Sequence, residues 1–260
     1  MIWRIRIKIP VSPPINLERI IENISMADIL EGITSFNTTK DGLTLEMYEK
    51  VGIDIVDGAE YVVIESSARD ITPEIESAID FIGKVFRRAN YTLGEQRVIE
   101  YSARLRCKLK VDFVKFLNMK IGKRIMDILR EAYGNIWVDP ENTSLDFIMN
   151  KLVVKISEAT VTIERIDISK ILRRISRLIP SRYMFNYLDK IVKLSKLLYV
   201  YYDVEVKAPS IDAVEDVMNR FINKTFVEVE DLEKEVMERL SKLGLPEPMI
   251  RLIRRELEFL

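Results

Sequence analysis

Apolar and charged residues alternate strictly over Trp3-Arg4-Ile5-Arg6-Ile7-Lys8-Ile9, the period-2 signature of a strand with one buried face. The alternation Arg-x-Arg-x-Lys returns one hundred positions later in Arg104-Leu105-Arg106-Cys107-Lys108-Leu109-Lys110, inside a strand predicted over 97–111. Each run leads into a 3.6-residue period. After Pro13-Pro14 the apolar positions are Leu17, Ile20, Ile21 and Ile24. After Asp112, a capping residue, they are Phe113, Phe116, Leu117, Ile121, Ile125, Ile128 and Ala132, with Gly134 as the stop. The repeat predicts a tandem duplication in which each half opens on a strand with a cationic outer face.

The remaining pattern fills in both halves. In the first, strands are predicted at 43–48 and 61–66, with a short apolar segment at 53–55 and a polar connection over 34–42. Asp70-Ile71-Thr72-Pro73-Glu74 opens a helix whose stripe is Ile75, Ala78, Ile79, Ile82 and Phe86. In the second, strands fall near 146–156, 159–165 and 197–207, with helices over 167–179 and from Arg182. Beyond Ser210 the pattern is wholly helical, over 211–223, 229–243 and 247–259. The predicted fold class is α+β: two tandem ferredoxin-like (βαββαβ) units, 1–95 and 96–208, followed by a helical tail over 209–260. Leu105, Cys107, Leu109, Phe113, Leu117 and Ile121 are expected in the core.

Composition narrows the chemistry. The chain of 260 residues has no histidine, which removes the commonest general base and metal ligand. Its nine glycines are dispersed, so neither GxGxxG nor GxxxxGK[ST] occurs. Non-enzymatic function with no cofactor is therefore expected. No apolar run reaches the roughly 20 residues of a membrane span, and charges break the N-terminal apolar run, so no membrane association is expected. The lone cysteine, Cys107, reads as a packed thiol in a reducing, cytoplasmic setting. Charged residues at 31% and a single glutamine give the sequence a thermophile-like usage.

A formal net charge of -1 conceals strong segregation. Residues 28–80 carry thirteen acidic side chains against three basic, and 203–238 eleven against four. Residues 97–130 carry ten basic against three acidic, and 165–196 nine against two. In a plait whose helices cover one sheet face, Arg4, Arg6, Lys8, Arg104, Arg106, Lys108 and Lys110 would share the open face. Lys170, Arg173, Arg174 and Arg177 follow helical spacing on a second basic surface. Together with Tyr199 and Tyr201 as stacking residues, these positions predict nucleic-acid binding, RNA before DNA, through phosphate contacts.

The alternative is a structural or interaction protein that self-associates or docks a protein partner. There the strand cations pair with carboxylates such as Glu46, Glu65, Glu164, Asp203 or Glu205. A third class, a metal-dependent hydrolase, would use Asp54 and Asp57, or Glu228, Glu230 and Asp231. As an architecture, the doubled plait resembles the RNA-handling proteins of CRISPR systems; the glycine-rich C-terminal loop of that group is missing here.

Overall fold

A computed structural model describes residues 1–25, 32–110, 121–143, 151–166, 201–240, 242, 244–245 and 247–257. The protein is mixed α+β, dominated by antiparallel sheet, and forms two compact units. One comprises 2–103 with 207–214; the other comprises Met1, 104–206 and 215–260.

The first unit runs β1 (Ile2–Ser12), α1 (Leu17–Ser25), β2 (Ile33–Thr38), β3 (Gly42–Met47), β4 (Val51–Val56), β5 (Tyr61–Ser66), α2 (Pro73–Arg88) and β6 (Thr92–Leu93), then the opening half of β7 (Val98–Leu109). Its strand order is β7-β1-β5-β4-β3-β2, with β6 also on β1. The register lines Ile7, Ile64, Ile53, Leu45 and Phe36 into one apolar row across the sheet. Arg6, Glu65, Gly52, Glu46 and Ser35 form a polar row on the other face. The apolar rows pack with Ile75, Ala78, Ile82, Val85 and Phe86 of α2 and Ile20 of α1, the stripe that the 3.6-residue period selects.

Capping fixes where α1 begins. Asn16 Oδ1 accepts from the Arg19 amide at 3.0 Å, and Asp57 Oδ1, forty positions away, accepts from the Leu17 amide at 2.8 Å. Two of the orphan donors of the first turn are thereby satisfied. Pro73 occupies the first turn of α2, with Glu74 and Glu76 there and Arg87 and Arg88 in its last turn, each sign matched to the helix dipole.

The second unit contains the rest of β7, α3 (Ile121–Tyr133), β8 (Trp137–Val138), β9 (Lys151–Ile156), β10 (Ala159–Arg165) and β11 (Tyr201–Ala208) up to Val206. A helix α4 (Ile211–Val217) continues through a π turn, Met218–Ile222, and a last α turn, Asn223–Thr225. β12 (Phe226–Glu228), α5 (Leu232–Leu240) and α6 (Glu247–Leu257) follow. Its strand order is β12-β7-β11-β10-β9-β8. Leu105, Cys107 and Leu109 are buried with Ile125, Leu129, Val204 and Phe221. Phe226 packs edge-on to Tyr202 and Phe221, at 6.0 and 6.1 Å between ring centroids.

Two expectations need correction. The polar connection over 34–42 contains the strand β2, so four strands, not two, separate α1 from α2. Polar composition concealed it, because five of its six residues are exposed and it has little apolar alternation. The tail is not wholly helical: Phe226–Glu228 pair with Leu109, Lys108 and Cys107. That strand is too short for periodicity to reveal. Of the expected core, Phe113, Leu117 and the side chain of Ile121 lie outside the described residues.

Candidate functional site

The alternation in β1 sends Ile5, Ile7 and Ile9 into the core and leaves Arg4, Arg6 and Lys8 on the opposite face. Arg6 meets its cross-strand neighbour Glu65, Nε to Oε1 at 2.9 Å. Lys8 lies over the Tyr61 ring, 5.3 Å from its centroid, a cation–π arrangement. Arg4 borders a groove in the first unit with a cavity volume of 760 Å³, whose other charged lining residues are Lys50, Glu46, Glu49, Glu65 and Glu74. The Thr72 hydroxyl, the residue's own backbone amide and Lys50 together hold the Glu74 carboxyl down at about 2.

The matching cations of β7 are engaged in the second unit. Arg104 and Arg106 both approach Asp203 of β11, at 3.2 and 3.7 Å. Lys108 reaches Glu235 of α5 at 2.7 Å, and the Lys110 ammonium donates to the Asn223 carbonyl. Glu235 also accepts from the Tyr201 hydroxyl at 3.2 Å. Helix α5 therefore covers this part of the sheet face. It starts at Asp231, whose Oδ1 accepts from the Lys234 amide, and buries Leu232 and Val236. Arg254 of α6 pairs with Glu233 at 3.6 Å and ties the last helix to it.

This cover corrects one expectation. Tyr201 is 1% exposed and its hydroxyl is committed to Glu235, so its ring is not offered to a base. Tyr199, Lys170, Arg173, Arg174 and Arg177 lie outside the described residues. The sequence did not single out Glu235, Lys50 or Glu74. The apolar pair Leu232 and Val236 in an acidic helix marks a packed face, but the strand that helix meets lies more than a hundred positions earlier.

Of the carboxylates considered for a metal, Asp54, Asp57, Glu228 and Asp231 have other duties. Asp54 accepts from the Thr44 hydroxyl at 2.9 Å, Asp57 caps α1, and Glu228 pairs with the amino terminus. Among the described residues no three acidic or thiol side chains converge as a metal cluster would require. Compared with known proteins, the chain matches no family model and no curated protein.

Proposed function

We propose that this protein is a non-catalytic module that binds another protein through its segregated charge. The observation carrying this reading is the neutralisation of the strand cations. Arg6, Arg104, Arg106 and Lys108 are each held by a carboxylate of their own unit, and Lys110 is held by a backbone carbonyl. A phosphate must displace these groups before it can track the strands, and over Lys108 it must also displace a helix. The groove of the first unit keeps four glutamates against Arg4 and Lys50. It also sits in the stretch with the largest acidic surplus, which favours a cationic protein segment as the ligand and steers its approach.

Nucleic-acid binding, RNA before DNA, is the second reading, favoured by the exposure of the same pairs. Arg104 and Arg106 keep 50% and 41% of their side-chain surface, and surface ion pairs contribute only about 0–1 kcal/mol, so exchange for phosphate is not costly. Fluorescence anisotropy separates the two. We expect a labelled Lys/Arg-rich peptide to bind and labelled single-stranded RNA not to bind at about 50 mM salt. RNA binding that weakens steeply toward about 200 mM, by counterion release, reverses the choice.

The two units also support a reading as copies of one ferredoxin-like plait lengthened by an outer hairpin. β1, α1, the meander β2 to β5, α2 and β7 answer to β7, α3, β8 to β11, the helical stretch 215–225 and β12. In both strand orders the opening strand stands second, beside β5 in one and β11 in the other. Arg4 then corresponds to Arg104 and Lys8 to Lys108. A crystal structure in which the two opening strands superpose poorly removes this reading.

A further inference from the structure

Among the described residues, the outer strand of the first unit carries none of the sequence protections that usually guard a sheet edge. Strand β2 ends the strand order, with β3 on one side and no strand on the other among the described residues. Exposed edges are normally blunted by lysines, prolines or inward charges, because their unpaired amides and carbonyls template further pairing. Ile33-Thr34-Ser35-Phe36-Asn37-Thr38 contains neither charge nor proline. Its one irregularity, a shift in register between Ile33 and Ser35, leaves 35–38 regular.

Phe36 supplies the second observation. It continues the apolar row of Ile7, Ile64, Ile53 and Leu45, whose members are almost completely buried, yet it is 49% exposed itself. The core layer therefore runs out to the edge and stops at an uncovered aromatic ring.

We propose that β2 pairs antiparallel with β2 of a second copy of this chain about a two-fold axis at Phe36. Under that symmetry Phe36 faces Phe36 and Ser35 faces Asn37. The apolar row continues unbroken into the second copy, aromatic meets aromatic, and no like charges oppose each other. A strand of unlike ends or a charged edge would not be self-complementary in this way. Three regular residues per strand, 35–37, bury less than the roughly 1,200 Å² of a standard interface, so the dimer is weak. The contact is separate from the acidic groove and stands whether or not the groove binds a partner.

Sedimentation velocity of the full chain at about 10 and 500 µM tests it; these concentrations bracket the affinity expected of an interface this small. A shift from monomer to dimer is expected across that range, with loss of the dimer in Phe36→Lys and Asn37→Lys, both at exposed positions, and unchanged dimerisation in the exposed control Val98→Lys. Phe36→Cys should also form a disulfide-linked dimer on mild oxidation faster than Thr38→Cys, because only residue 36 faces itself. A monomer at 500 µM overturns the proposal, as does a dimer that the two lysine variants leave intact or equal cross-linking at 36 and 38. RNA binding by a protein that still dimerises through β2 removes the interaction reading of the groove and leaves this contact in place.

Discussion

Cys107 is 0% exposed, with its sulfur 3.5 Å from the Tyr202 carbonyl oxygen. Burial first, then the carboxylates of Asp203 and Glu228, push its thiol well above the usual range, and a thiol that does not ionise is a poor nucleophile. The native protein at pH 8 should therefore stay unlabelled by a disulfide reagent and label stoichiometrically once unfolded; rapid native labelling contradicts this. Glu74 is the opposite case. Its folded value of about 2 lies below the ordinary 4.5, so the folded state binds its proton less readily. The stability this supplies is complete above about pH 4.5 and is lost as pH falls toward 2. In urea unfolding, Glu74→Gln should be less stable than the parent at pH 7, and the two should converge near pH 2. A gap that persists at acid pH assigns the effect to packing.

At the scale of the element, β1 and the central part of β7 were legible because their two faces differ in kind, apolar against cationic, at every position from Trp3 to Lys8 and from Arg104 to Lys110. Helix α2 was legible because Ile75, Ala78, Ile79, Ile82 and Phe86 recur on one side between matched end charges. Strand β2 was not, because it gains its shape from pairing with β3 and not from its own polar residues. The cover of the second sheet face was hidden for a related reason. Lys108 and Glu235 are separated by 127 positions, and spacing carries no information at that range. That cover is testable. Glu235→Ala removes the acceptor shared by Lys108 and Tyr201, and leaving such partly buried groups unmet costs about 1–3 kcal/mol. Chemical denaturation should show a loss of that size, with Lys108→Ala and Glu235→Ala less than additive in the double variant. Full additivity means the pair contributes nothing as a pair.

For the molecule as a whole, a near-zero net charge conceals local pairings that decide which cations a ligand can meet. Asp203 is the clearest case, since one carboxylate engages both Arg104 and Arg106. Asp203→Asn keeps the side-chain shape at a position only 26% exposed and should cost no more than about 1–3 kcal/mol of stability, while giving the protein salt-sensitive affinity for single-stranded RNA that the parent lacks. If RNA affinity is equally absent from the variant, Asp203 is not what suppresses it, and the covering helix becomes the remaining explanation. The candidate site was thus half legible. The positions of the cations followed from alternation, and Glu65 and Asp203 stood among the carboxylates named as their partners, whereas Glu235 is brought to Lys108 by the fold alone.

The short strand β12 has a further consequence. It closes the second unit against β7, and beside it Lys110 and Asn223 meet across 113 positions of chain. Strands β1 to β6 of the first unit, by contrast, all lie before residue 110. As the chain leaves the ribosome, the first sheet can assemble early, while the far end of β7 waits until Phe226–Glu228 have been made. During that interval its edge is open to wrong partners. The order of synthesis thus dates the closure of this edge: Leu109, Lys108 and Cys107 gain their partners only after Phe226–Glu228 have been made.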